Sequence, residues 1–222
     1  MSEKQYEAVA RSIEQRRTWK VIADVSSPVA VDESLRRELD PVVMRALEDS
    51  GMAPFHYNRN MDGIAEPWRC HVLWSDTCRQ VATQFNHWFD DVKPTNKLPM
   101  MLSACGALVL VTWIPQEDPG DKPKEKLKDI NEEHLAAASA FTQNLLLLLT
   151  AAGLGTYWSS GGQFRTVEMF DQLGIDHRER LLAAVFVDYL PASAENVRER
   201  IAGKNRELRS PAESWTRVVE LN

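Results

Sequence analysis

Arg16, Arg17, Thr18 and Lys20 bring three cations and a hydroxyl together in one short stretch. Arginine can grip an anion through two parallel hydrogen bonds, and a threonine hydroxyl adds a compact donor. Such a cluster at the end of a helix can bind phosphate. Taken alone, it is also explained as solvated charge that complements a helix C-terminus. A second basic cluster, Lys204, Arg206 and Arg209, lies near the other end of the chain, where a solvated tail is the plain alternative. The formal net charge is -6. Two basic clusters in an acidic chain make a shared anion site a coherent reading.

The run Gly153-Leu154-Gly155-Thr156-Tyr157-Trp158-Ser159-Ser160-Gly161-Gly162 is not a dinucleotide fingerprint. Trp158 stands where the third glycine of G-x-G-x-x-G belongs, and the run follows a helical pattern rather than a strand. A phosphate loop of the Walker type is also absent from the sequence. Gly161 and Gly162 either let backbone amides approach a flat ring closely or form an ordinary strand-end turn. The five histidines, His56, His71, His87, His134 and His177, form no triad or metal constellation, and each is expected to be structural or solvated. Neither a nucleophile elbow nor a paired-carboxylate site stands out. Phosphate-binding potential without an acid, base or nucleophile set points to a cofactor that performs the chemistry.

The elements that must position these residues follow from periodicity. Residues 3–16 read as a helix, with Tyr6, Val9, Ala10 and Ile13 on one side. A short extended piece runs from Val21 to Val25. A helical stretch over 32–50 is expected to break at Pro41, with Asp40 capping a new start. Residues 53–67 read as a loop. Trp68–Trp74 reads as a strand, followed by a helix from Ser75 to about Val92. Ala107–Trp113 is a buried strand, and about 114–129 a solvated loop. A helix over 131–152, capped by Asn131, is apolar on nearly every face, so burial on every side is expected. A strand at Gly155–Ser160, a short helix at about 165–173, a strand at Leu181–Leu190, a polar helix at about 193–201 and a late strand near Trp215–Val219 complete the pattern. The order mixes helices and strands without strict alternation. That predicts an α+β fold, with a mostly antiparallel central sheet flanked by helices, in one domain over residues 1–222.

Composition narrows the class. The chain has 222 residues, 44% hydrophobic and 26% charged, an ordinary globular balance. Its acidity argues against a nucleic-acid partner. The three cysteines, Cys70, Cys78 and Cys105, have no zinc or CxxC spacing and read as reduced thiols of a cytoplasmic protein. The N-terminus is polar, and the longest apolar run is expected to be too short for a membrane span.

In this order, several segments resemble the nitroreductase family. Arg16-Arg17-Thr18-Trp19-Lys20 is similar to its R-R-[ST]-x-[RK] motif. Ala53-Pro54 with Pro67-Trp68-Arg69 resembles A-P-S…Q-P-W-R, and Glu133 to Gly155 resembles the long central helix. Thr156-Tyr157-Trp158-Ser159-Ser160-Gly161 matches the strand and glycine that follow. Leu173-Gly174-Ile175, Glu179-Arg180-Leu181-Leu182 and Arg209-Ser210-Pro211 are similar to later motifs. The resemblance implies an intertwined homodimer with FMN at the interface and NADH or NADPH as electron donor. It implies ping-pong hydride transfer through flavin N5 to a small electron-poor acceptor, nitroaromatic or quinone-like. By the same carry-over, Arg16, Arg17, Thr18, Arg206 and Arg209 hold the phosphate and ribityl end. Lys20 lies near N1 and the C2 oxygen; Ser159, Ser160 and Gly161 lie near N5. Pro54 and Phe55 reach the flavin of the other subunit, with His56 and Tyr57 in the substrate pocket.

The chain also departs from the family pattern. Residues are added between Pro54 and Pro67. Glu66 stands where glutamine is common, and Ile64 where a flavin-contacting asparagine is common. The added loop is expected to reshape the substrate pocket. Two alternatives stay open: a member specialised for one substrate with poor NAD(P)H use, and a flavin-free dimeric scaffold.

Overall fold

The structure is a computed structural model and describes residues 3–89, 96–118, 123–191 and 197–219. Its helices are α1 (Glu3–Gln15), α2 (Glu33–Ser50), α3 (Ser75–Trp88), α4 (Leu98–Ala104), α5 (Lys124–Ala151) and α6 (Val167–Leu173). Its strands are β1 (Trp19–Ile22), β2 (Trp68–Trp74), β3 (Ala107–Trp113), β4 (Gly155–Ser159), β5 (Arg180–Asp188) and β6 (Glu199–Ala202).

Four strands form a sheet in the order β2-β3-β5-β4, each antiparallel to its neighbour. The fold is therefore α+β with an antiparallel central sheet, as the sequence predicts. Successive residues of β3 serve opposite faces, as the pleat requires. Leu108 and Leu110 enter a core with Phe85, Leu102, Phe164 and Phe186. Val109 and Val111 enter another with Val43, Phe141, Leu145 and Leu149. Helices cover both faces, which explains why β3 reads as an unbroken apolar run rather than an alternating one.

The pair β1 and β6 stands apart from this sheet. It is antiparallel, from Trp19 opposite Ala202 to Ile22 opposite Glu199. Thr18 adds a single bridge to Thr156 of β4, so the small ribbon sits against the edge strand of the main sheet. This joins the two ends of the chain.

Several expectations need correction. Pro41 does not break α2. Asp32 caps that helix, accepting from the Leu35 amide at 2.8 Å. Asp40 caps nothing and instead accepts from the Tyr189 hydroxyl at 2.8 Å. Burial of Val43 and Ala46 after the proline holds the helix together against a local cost of about 3 kcal/mol. The loop expected at 114–129 is shorter, because α5 already starts at Lys124; residues 119–122 lie outside the described residues. Asn131 is inside α5 and caps nothing. Its side chain holds the loop, accepting from the Gln116 amide at 2.6 Å and donating to the Gln116 carbonyl at 3.3 Å.

The polar helix expected at 193–201 falls partly on residues 192–196, outside the described residues, and its later part is strand β6. The predicted helix ending near Val92 stops at Trp88, and residues 90–95 are likewise outside the described residues. Trp215–Val219 forms no strand among the described residues. Helix α4 has no counterpart among the sequence expectations.

Helix α5 is also buried on fewer sides than predicted. Ala138, Phe141, Leu145 and Leu149 are sealed against the sheet, whereas Leu135 remains 37% exposed. The sheet, α1 and α2 cover only part of its circumference. By length and composition α5 could cross a bilayer, contrary to the sequence expectation. Here its core-facing residues pack on the sheet.

Candidate functional site

The join between β1, β4 and β6 creates a cavity of about 470 Å³. Arg16, Arg17 and Thr18 line it from the segment between α1 and β1. Gly203, Lys204, Asn205, Arg206 and Arg209 line it from the segment after β6. Tyr157 and Trp158 of β4 form the aromatic side. Both basic clusters noted in the sequence therefore enter one space. The tertiary structure brings together Arg16, Arg17, Thr18, Lys204, Arg206 and Arg209.

The two segments are tied directly. Arg206 Nη1 donates to the Arg16 carbonyl at 3.1 Å, and the Gly203 amide donates to the Thr18 carbonyl at 2.9 Å. A Cβ at Gly203 would lie 2.8 Å from Thr18 Cβ, so only glycine allows this approach without a shift. The cations crowd one another. Burial lowers the Arg16 pKa below the ordinary arginine value, and the charges of Arg209 and Arg206 lower it further. Among the described residues, none of the five cationic side chains lining the cavity forms an ion pair. An anion entering this space would relieve repulsion and pair with unneutralised guanidinium groups.

Lys20 lies at the aromatic edge of this region. Its ammonium is 5.2 Å from the centre of the Tyr157 ring. Burial lowers its pKa, and the positive charge of Lys97 adds to the shift. Ser159, Ser160 and Gly161 follow on the same strand end. The Ser159 hydroxyl accepts from the Gly161 amide at 3.2 Å, and the Ser160 carbonyl accepts from Arg165 Nε. Gly161 has a φ of +102°, and a Cβ there would lie 2.3 Å from Leu181 Cδ2. The turn therefore demands glycine, for conformation and for space.

Pro54, Phe55 and His56 line a second cavity, of about 380 Å³, with Glu133, Ala136, Ala137 and Ala140 of α5. No lining residue is shared between the two cavities within one chain. Phe55 meets Trp68 edge to face at 5.6 Å, and Trp68 stacks on Phe141 at 5.4 Å. Tyr57 is not in the cavity wall; it supports the His56 ring edge-on at 4.7 Å. The added loop is a small hairpin closed by Met61 and Ile64, whose amides and carbonyls exchange hydrogen bonds at 3.1 Å. Arg69 pins it by donating to the carbonyls of Met61, Glu66 and Trp68.

Sequence reasoning missed Tyr157, Trp158, Gly203 and Asn205 as cavity residues. The aromatic pair carried a signal, since both fall on a predicted strand beside the glycine turn. Asn205 carried none. A buried polar group also went unseen: His71 Nε2 lies 2.6 Å from Glu179 Oε2, which also accepts from the Thr112 hydroxyl. Cys70 lies in this region, and burial together with the Glu179 charge pushes its thiol up to about 12.

An antiparallel sheet between helices, with a cation-lined cavity at its edge, defines an α+β protein whose cavity suits an anionic ligand. The sequence profile described as "Nitroreductase family" matches residues 35–189, and the chain belongs to that family. It is 27% identical over 172 residues to a Bacillus subtilis (strain 168) protein named "Putative NAD(P)H nitroreductase YfhC". That match covers 74% of this chain and 80% of the relative. The fold resembles a nitroreductase-like family protein from Bacillus cereus, with a TM-score of 0.63, 22% identity and 96% of each chain covered. It also resembles a Desulfovibrio desulfuricans protein crystallised in complex with FMN, with a TM-score of 0.57 and 20% identity. That match covers 96% of this chain and 98% of the other.

Proposed function

We propose that the protein is a homodimeric, FMN-dependent oxidoreductase. It takes electrons from NADH or NADPH and reduces a small electron-poor acceptor of nitroaromatic or quinone type. The observation that carries this reading is the convergence of the two basic clusters with Tyr157 and Trp158 in one cavity. Family membership, the FMN in the Desulfovibrio structure and the name of the Bacillus relative support it.

The residues present fit such a cofactor. Unpaired guanidinium groups suit a phosphate dianion, and the Thr18 hydroxyl suits its oxygens. In this reading Arg16, Arg17, Thr18, Arg206 and Arg209 hold the phosphate and ribityl end. Lys20 meets the pyrimidine edge of the ring, and Ser159, Ser160 and Gly161 face its redox edge. Pro54 and Phe55 of one chain close the site of the other. Bound FMN would supply the two-electron redox chemistry, linking hydride from the nicotinamide to the acceptor. The chain's own part is electrostatic and steric. Lys20, already short of solvent, favours negative charge on the ring beside it. The glycine at 161 keeps side-chain atoms away from that edge.

The test has two arms. Cofactor extracted from the purified protein is chromatographed against FMN and FAD standards; FMN is expected. NADH and NADPH oxidation is then followed with and without menadione and a nitroaromatic. Recovery of FAD, or no measurable FMN affinity, overturns the cofactor assignment. Bound FMN without acceptor-dependent NAD(P)H oxidation would instead indicate a member specialised for another substrate.

A further inference from the structure

We propose that the second cavity seats the acceptor, and that Glu133 makes it select flat aromatic compounds bearing a cationic or hydrogen-bond-donating group. This rests on the flavin-oxidoreductase reading above. The shape comes from helical spacing. Glu133, Ala136, Ala137 and Ala140 are separated by three, four and seven residues, so they share one face of α5. Three alanines leave a shallow, even floor. Phe55 forms a wall that Trp68 and Phe141 hold in place. A floor and wall of this kind fit a planar ring better than a branched chain.

The charge comes from one residue. Neighbouring Glu132 reaches Lys128 at 3.5 Å, whereas Glu133 has no ion pair among the described residues. The cavity wall contains no lysine or arginine. The two cavities are thus opposite in sign: five cations line the first, and a lone carboxylate marks the second. His56, propped by Tyr57, adds a second polar group at the cavity. An anionic acceptor meets repulsion from Glu133, and an ammonium or amino group meets attraction.

The FMN-loaded protein is titrated with benzylammonium and benzoate, which share a ring and differ in charge. In parallel, reduction of 4-nitrobenzylammonium and 4-nitrobenzoate is compared, with 4-nitrobenzyl alcohol as a neutral reference. The wild type is expected to favour the cation. Glu133→Gln should narrow the cation-to-anion ratio about tenfold in both affinity and kcat/KM, and Glu133→Asp should largely restore it. Taking the ratio between variant and wild type cancels the intrinsic electronics of each ring. An unchanged ratio, with the neutral acceptor still reduced, overturns the selectivity and leaves the flavin reading intact. Failure to reduce the neutral acceptor overturns the assignment of a nitroaromatic-type acceptor instead. In either case, equal binding of benzylammonium and benzoate by the wild type refutes the role given to Glu133.

Discussion

The guanidinium of Arg206 donates to the backbone carbonyl of Arg16 at 3.1 Å, across 190 residues of sequence. This bond holds two clusters of like charge together before any anion arrives. Burial lowers the pKa of Arg16, and the charges of Arg209 and Arg206 add to the shift. A site strained in this way should respond steeply to loss of either cluster.

Arg17→Glu tests the first cluster. Arg17 is exposed and lines the cavity, so the fold should survive its replacement. Loss of one charge-assisted hydrogen bond costs roughly 1.5–3 kcal/mol, and reversal adds repulsion. FMN affinity should fall by at least about tenfold. Arg206→Ala should weaken FMN binding as well and, unlike Arg17→Glu, lower the melting temperature of the apoprotein, because it severs the tie to Arg16. Fluorescence titration and thermal melts read both effects. Unchanged FMN affinity in both variants would remove the phosphate assignment.

Lys20 makes the affinity pH-dependent. Burial, aided by Lys97, places its folded pKa below the ordinary lysine value of 10.5. Carbonyl oxygens or negative charge on a bound ring favour the protonated amine, so binding should take up a proton where the free protein has begun to lose it. Affinity should therefore decline as pH rises through the lowered pKa of Lys20, earlier than for an ordinary lysine. Lys20→Met should flatten that decline. Titrations across the alkaline range, with Lys20→Met as control, measure it; identical slopes in both proteins would sink the idea.

Gly161→Ala should be more damaging than Gly153→Ala. Both glycines have positive φ, but a Cβ at Gly153 meets nothing within 4 Å, whereas at Gly161 it lies 2.3 Å from Leu181 Cδ2. Strain alone costs roughly 1–2 kcal/mol, and overpacking adds about 1–3 kcal/mol. Gly161→Ala should also disturb cofactor binding, because the clash sits at the turn proposed to face the ring. Comparable melting temperatures for the two variants would show that the turn can yield.

Assembly follows from uncovered apolar surface. Tyr6, Val9 and Ile13 of α1 are 63%, 58% and 50% exposed, and Leu135 of α5 is also open. The tail adds Leu208, Trp215, Val218 and Val219, all exposed. Exposed apolar side chains of this kind suit burial against a second copy of the chain. We expect an obligate homodimer burying more than about 2,000 Å², with dimerisation and FMN binding each favouring the other. Sedimentation at low concentration, with and without FMN, decides the matter. A folded, FMN-loaded monomer would contradict it.

Local chemistry in the sequence was enough for much of this protein. Trp68–Trp74 and Ala107–Trp113 read correctly as strands because their residues favour a buried pleat. The basic residues at 16–20 and 204–209 stood out as candidate anion ligands because guanidinium chemistry does not depend on the fold. Pairing and packing across distance were decided elsewhere. Pro41 stays helical because Val43 and Ala46 are buried beyond it, a tertiary gain that exceeds the local cost. Residues Glu199–Ala202 become a strand because Trp19–Ile22 offers an edge to pair with, which no local propensity reveals. That pairing alone carries Arg206 to Arg16 and turns two separate charge clusters into one cavity. Short-range preferences select elements; only long-range hydrogen bonding and burial choose which of them meet.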